Sequence, residues 1–146
     1  MISICRLEGQ HIEAVADIER QCFSQPWSEK SLEMLVGDGA VGVVALVDGK
    51  VAAYGGMLYV LDEGQITNIA THSEYRRRGL ASLVVNELSK IARELELSGI
   101  YLEVRHSNIA AQSLYTACGY RRIGERRAFY SNPTEDAVRM RLALEN

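Results

Sequence analysis

Apolar positions recur along the chain with two different periods, and the switches between them mark its elements. Ile2, Ile4 and Leu7 suggest a short first strand. Ile12, Val15, Ile18 and Cys22 repeat at the spacing of one helix face, so 9–23 is predicted to be an amphipathic helix. Pro26 and Trp27 break it. Ser28 then stands as a capping residue before a short second helix carrying Leu32 and Leu35, stopped by Gly37-Asp38-Gly39. Val41 to Val47 is β-rich, Asp48-Gly49 is a two-residue hairpin signal, and Val51 to Leu61 is the returning strand. Asp62-Glu63-Gly64 turns the chain once more, into Gln65 to Thr71.

After Gly79 the period lengthens. Leu80, Val84, Leu88, Ile91 and Leu95 form one helical stripe running to about Leu97. Ser98-Gly99 closes it, and Ile100 to Val104 reads as a short buried strand. Asn108 to Cys118 is a further helix, with Ala110, Ala111, Leu114 and Tyr115 available for one face and Gly119 as its stop. Tyr120–Gly124 and Ala137–Leu142 look like a last strand pair around a polar loop containing Pro133. The string is β-α-α-β-β-β-α-β-α-β-β. A mixed α/β architecture, with one sheet and helices on both faces, accommodates it most economically. No repeat or linker interrupts the chain, so 1–146 reads as one domain.

Composition narrows the function classes. With 146 residues, 47% hydrophobic and 24% charged, the chain is neither a disordered tail nor a disulfide miniprotein. No window of eighteen uncharged apolar residues occurs, and the first residues lack a signal-peptide pattern. The expected location is cytoplasmic, with no membrane partner. Cys5, Cys22 and Cys118 are odd in number and show no ligand spacing with each other or with His11, His72 and His106, so no metal site is expected. The net charge of -3 is unevenly spread. Residues 1–75 hold 4 basic and 11 acidic side chains, whereas 76–146 hold 12 basic and 8 acidic. The distribution suits a polyanion on the C-terminal half and a cationic ligand near the N-terminal half, or simply solvated outer faces.

One stretch concentrates candidate chemistry. Glu74-Tyr75-Arg76-Arg77-Arg78-Gly79-Leu80-Ala81-Ser82 lies between a strand and the longest helix. The first N–H groups of a helix have no internal partners, and the helix dipole adds positive character there. Gly79 and Ala81 would let a phosphate approach the main chain, and three arginines add attraction. A diphosphate fits such a cradle. A solvated basic turn or a nucleic-acid contact would use the same residues. The negative net charge and the lack of a basic face with interleaved aromatics speak against nucleic acid. The phosphate-loop and dinucleotide-binding glycine patterns are both absent.

Arg76-x-x-Gly79-x-Ala81 at a strand-to-helix junction fits Gln/Arg-x-x-Gly-x-Gly/Ala and resembles the GCN5-related N-acetyltransferases, the GNAT superfamily. Glu103-Val104-Arg105-x-Ser107-Asn108-x-x-Ala111-x-x-Leu114-Tyr115-x-x-x-Gly119-Tyr120 resembles the second half of that family's cofactor and catalytic region. Pro26-Trp27-Ser28-Glu29-Lys30, Asn68-Ile69-Ala70 and Arg126-Arg127-x-x-Tyr130…Glu135-Asp136-Ala137…Met140 are similar to its RimI-type branch, the ribosomal-protein-alanine N-acetyltransferases. Together the matches span nearly the whole chain. Phe129 departs from the branch, which often has a second Tyr there.

The resemblance implies the GNAT fold: a mixed central sheet of roughly seven strands flanked by roughly four helices, with splayed central strands. It implies acetyl-CoA as co-substrate, no metal, and transfer of the acetyl group to an amine. Ile69, Ala70, Thr71, Arg76, Arg77, Arg78, Gly79, Leu80, Ala81, Ser82 and Asn108 would hold the coenzyme, with β-strand N–H groups at 68–71 polarising its carbonyl. Glu103 would be the general base and Tyr115 the acid. Glu103 as a carboxylate paired with Arg105 or another arginine, Tyr115 as a core aromatic, and Asn108 as a helix cap stay open beside these roles. Trp27 and Tyr130 would wall the acceptor site. Glu29, Glu33, Asp62 and Glu63 would suit a basic peptide if they lined its groove. The implied acceptor is the N-terminal alanine of a small-subunit ribosomal protein. Transfer would be direct within a ternary complex, since Cys118 has no His partner to make it a nucleophile. Alternatives are another amine (other protein N-termini, lysine, a polyamine or an aminoglycoside) or a non-catalytic acyl-CoA-binding module. A monomer or weak homodimer is expected.

Overall fold

A computed structural model describes residues 1–144. The strands are β1 (Ile2–Arg6), β2 (Ala40–Val47), β3 (Lys50–Val60), β4 (Glu63–Thr71), β5 (Gly99–Arg105), β6 (Arg121–Tyr130) and β7 (Glu135–Ala143). The helices are α1 (Ile12–Cys22), α2 (Glu29–Leu32), α3 (Leu80–Glu94) and α4 (Ile109–Ala117). All seven strands form one sheet in the order β1-β2-β3-β4-β5-β7-β6. Every neighbouring pair is antiparallel except β4 and β5, which run parallel. Consecutive hairpins explain the antiparallel half, while α3 is the crossover that lets β5 run parallel to β4.

Each face of the sheet carries its own core. Leu80, Val84, Leu88 and Ile91 of α3 pack with Val43, Met57, Ile100, Leu102 and Met140 of the strands. On the other face Ile12, Val15 and Ile18 of α1 pack with Leu32, Leu35, Val44 and Tyr54. Gly55 is what allows α3 to sit so close: a Cβ there would stand 2.5 Å from Val84 Cγ1. Leu88 is fully buried, so truncation to Ala removes packed methyls at a cost of about 2–5 kcal/mol.

Several predicted boundaries shift. The second helix is one α-turn followed by a 3-10 turn over Glu33–Val36, with Ser28 Oγ accepting from the Ser31 N–H at 3.1 Å as its cap. The last strand pair is longer than the hydrophobic pattern suggests. β6 runs to Tyr130, and only Ser131–Thr134 is left as loop, containing a cis Asn132–Pro133 bond. β6 is an exposed edge strand broken by two register shifts, so its side chains carry no apolar alternation to read. Its pairing with β7 is a backbone property.

Candidate functional site

β4 and β5 pair only at Glu63↔Gly99, Gly64↔Ile100 and Gln65↔Tyr101. Beyond that point they part, giving the splay expected of the central strands. A bulge on β4 helps to make it. Gly56 of β3 faces Asn68 and Met57 faces Ile66, so Thr67 is the extra residue. Without the bulge, Ile66 and Asn68 would share a face. With it, Ile66 joins the α3-side core while Asn68 turns to α1. With β5 absent from its edge, β4 turns main-chain groups toward the opening.

The opening is a cleft of about 530 Å³. Ile69 on β4, Glu103 on β5, Asn108 and Tyr115 of the α4 segment, Trp27 of the α1–α2 loop and Tyr130 of β6 all line it. Six predicted site residues from five parts of the sequence thus meet around one space. Glu103 reaches it by strand alternation: Leu102 and Val104 point into the α3-side core, and Glu103 points to the other face. Its Oε2 accepts from Gln65 Nε2 at 2.9 Å, and Arg126 Nε and Arg139 Nε lie 3.8 and 4.0 Å from Oε1. Arg105 is not its partner. It is held by the Pro133 carbonyl (2.9 Å), the Ser131 carbonyl (3.0 Å) and Glu135 (3.2 Å), with its guanidinium 4.6 Å from the Tyr130 ring centre. Arg105 therefore fixes Tyr130 at the mouth of the cleft.

Burial, then the nearness of Tyr130 and Cys118, push the Tyr115 phenol well above its ordinary pKa of 10.0. Tyr130 is pushed up to about 12, chiefly by burial and by the Glu103 charge, with Arg105 opposing. Asn108 caps α4, its Oδ1 accepting from the Ala111 N–H at 3.1 Å. The cap leaves its amide N–H groups for a ligand. Cys118 does not line the cleft, and burial raises its thiol pKa against an opposing hydrogen bond with Ser82.

The predicted coenzyme residues from Ala70 to Ser82 stand beside the cleft rather than in it. Ala70 is buried against the α1 side, and the Thr71 carbonyl accepts from Cys22 Sγ at 3.4 Å. Arg76, Arg77, Arg78 and Gly79 form an exposed turn. Arg77 and Gly79 both have left-handed backbone, with φ of 65° and 76°. No side chain caps the start of α3, and no acid sits in its first turn. Leu80, Ala81 and Ser82 open the helix, so their N–H groups are free for an anion. The Leu80 side chain is core, so its main chain is the part that faces a ligand. Around Gly79 there is open space where a Cβ would stand, room for a phosphate at the backbone. Arg76 touches Cys22 Sγ at 3.5 Å, and Cys22 lines the cleft, so the cradle joins it at the C-terminal end of β4. A diphosphate on the turn and a thioester in the splay fit one extended coenzyme.

The acidic groove is a correction. Glu29, Glu33, Asp62 and Glu63 are all exposed and none lines the cleft. Asp62 and Glu63 instead border a separate hollow at the β3–β4 tip. The acid that does reach the cleft from the N-terminal half is Glu19, which is 1% exposed. Its signal in the sequence is an interruption: Ile12, Val15, Glu19 and Cys22 share the buried side of α1, and one of them is a carboxylate.

Among the described residues, no helix is long and apolar enough to cross a membrane and no cluster of His, Cys, Asp and Glu could hold a metal ion. The model of the acetyltransferase (GNAT) family matches residues 12–120. A Bacillus subtilis (strain 168) relative is 37% identical over 137 residues, covering 92% of this chain and 89% of that protein. The [ribosomal protein bS18]-alanine N-acetyltransferase of Escherichia coli (strain K12) is 33% identical over 146 residues, covering 99% of each. The crystal structure of the ribosomal-protein-S18-alanine N-acetyltransferase from Escherichia coli superposes with a TM-score of 0.92 at 32% identity, over 100% of this chain and 96% of that one. The splayed strands, the uncapped helix start and these likenesses agree: the chain belongs to the GNAT family of acetyltransferases, acyltransferases that take acetyl-CoA as co-substrate.

Proposed function

We propose that this chain acetylates the N-terminal alanine of ribosomal protein bS18 in the cytoplasm, by direct transfer from acetyl-CoA within a ternary complex. The observation that carries the reading is that Glu103, Tyr115 and Ile69 line one cleft at the splay of β4 and β5. The Escherichia coli relative named for that activity, alike over 99% of both chains, supports the acceptor.

The chemistry needs a neutral amine, a polarised carbonyl and a proton for the departing thiolate. An α-amine has a pKa of roughly 7.7–8.0, so freeing it near neutral pH costs on the order of 1 kcal/mol. Glu103 accepts that proton, directly or through one water. Gln65 and the two nearby arginines hold the carboxylate in place while it does so. N–H groups on the free edge of β4 polarise the carbonyl. Tyr115 meets the leaving sulfur. Burial keeps its proton on, so it first acts by hydrogen-bonding the developing thiolate. Arg76–Ser82 and Asn108 hold the coenzyme, and Trp27 and Tyr130 flank the peptide. Cys118 takes no covalent part, because a half-buried thiol with a raised pKa outside the cleft is a poor nucleophile.

The test is release of free CoA thiol with a panel of acceptors, the product read by mass spectrometry. Ala-initiated peptides matching the bS18 N-terminus should gain one acetyl group on the α-amine. Turnover confined to lysine side chains, polyamines or aminoglycosides would leave the family intact and remove the ribosomal reading.

A further inference from the structure

Glu19 is the one buried carboxylate among the described residues that borders the cleft and has no part in the reaction as set out above. It sits on the wall facing β4, and each of its oxygens is spoken for. Oε1 accepts the main-chain N–H of Trp27 at 2.8 Å. Oε2 accepts the hydroxyl of Tyr54, itself fully buried, and the amide of Asn68 at 3.1 Å. Among the described residues no Lys, Arg or His side chain comes within 4.0 Å of it. An aliphatic residue would fit the apolar stripe of α1 better, since burying a carboxylate is costly unless donors compensate it.

Two of the three donors belong to residues that line the cleft. Trp27 walls the cleft, and its main chain is the last part of the loop that connects α1 to α2. Asn68 immediately precedes Ile69 on the free edge of β4, just past the bulge at Thr67. Tyr54 lies on β3 opposite Ala70, anchoring the arrangement in the sheet. The carboxylate thus ties the acceptor loop to the strand that polarises the thioester. It also leaves a carboxylate held only by neutral donors on the cleft that Glu103 lines as well. A protonated α-amine arriving at the cleft is drawn between two carboxylates.

We infer that Glu19 is a positioning residue of the acceptor site: it locks the Trp27 loop to β4 and makes that wall anionic, so that a protonated primary amine is gathered and aimed at the thioester. This rests on the transfer reaction proposed above but not on which amine is the natural one. The turn Arg76–Ser82 proposed for the diphosphate shares none of these contacts, so loss of Glu19 should weaken the acceptor far more than the coenzyme.

The experiment compares Glu19→Gln with wild type, using whichever acceptor of the panel turns over best. Circular dichroism and thermal melting report folding, calorimetry reports acetyl-CoA affinity, and steady-state kinetics report acceptor KM and kcat. The expected result is an acceptor KM raised about tenfold or more, since charge-assisted hydrogen bonds and an ionic attraction are lost together. Acetyl-CoA affinity should stay within about twofold, because its diphosphate would rest on main-chain donors at the start of α3, away from Glu19. An unchanged acceptor KM in a folded variant overturns the inference, as does an equal loss of affinity for both substrates, which is what a purely structural role gives. Should Glu19→Gln not fold, Tyr54→Phe decides. It deletes one donor and keeps the charge, and should raise acceptor KM about two- to fivefold. A wild-type KM there overturns the inference. If the best acceptor is not an Ala-initiated peptide, the ribosomal reading fails while the role of Glu19 is still measured.

Discussion

On the coenzyme side of the cleft, residues 73–82 form one continuous stretch that offers main-chain N–H groups at an uncapped helix start. On the acceptor side, Glu19, Trp27, Glu103 and Tyr130 come from four separate segments and act through side chains and their hydrogen bonds. A main-chain cradle depends on backbone conformation, and most side chains along it can vary without removing a donor. A side-chain cluster depends on distant elements arriving in register, and each member is individually replaceable by mutation. The two sides should therefore fail in different ways.

The sharpest break is on the reacting groups. Glu103→Gln should lower kcat by about 10²–10⁴, the range for a lost general base, with acetyl-CoA affinity unchanged by calorimetry. Tyr115→Phe should lower kcat by about 10–10², because backbone donors still polarise the carbonyl when the phenol is gone. A matching loss of coenzyme affinity in either variant would merge the two sides into one device.

The coenzyme side should break through its backbone. Gly79→Ala puts a Cβ where φ is 76°, a left-handed conformation that costs other residues roughly 1–2 kcal/mol. The expected outcome is an acetyl-CoA dissociation constant raised about tenfold with kcat at saturation nearly unchanged, measured by titration and kinetics. Acceptor KM should not move.

A pH profile sharpens the acceptor side. The rate at low acceptor concentration should climb as the α-amine loses its proton, levelling above pH of about 8. Burial raises the Tyr115 pKa, so the phenol keeps its proton below its ordinary value of 10.0 and beyond. No alkaline fall should therefore appear before pH of about 10. A falling limb centred near 9 would assign the acid to another group. The smallest effect belongs to Cys118→Ala. Its thiol is raised by burial and lies outside the cleft, so kcat should change less than about twofold. A collapse of rate in a folded variant would replace direct transfer by an acyl-enzyme.

How much of this the chain disclosed follows from the same contrast. The helix stripe Leu80–Leu95 and the Asp48-Gly49 hairpin are local patterns, and each became the element its period implies. The cradle proposed for the coenzyme occupies nine consecutive residues, so the sequence alone can suggest it. Periodicity did not reveal β6 beyond Gly124, since an exposed edge strand held by backbone pairing needs no apolar alternation. The bulge at Thr67 was equally silent, although it decides that Asn68 faces α1. Glu19 could have been suspected as a charge within an apolar stripe, but its three donors lie 8, 35 and 49 residues away, where no spacing rule reaches. The open alternative for Glu103 is a pairing with Arg105 or another arginine, and Arg126 and Arg139 are the ones that approach it rather than Arg105. The loop before β7 claimed it instead.

The most direct measurement is mass spectrometry of ribosomal proteins from cells that encode this chain, compared with cells in which its gene is deleted. The account predicts that bS18 carries an acetyl group on its N-terminal alanine in the parent and loses it in the deletion. A plasmid copy of the wild type should restore the group, and a Glu103→Gln copy should not. Equal acetylation of bS18 in parent and deletion strain would contradict it.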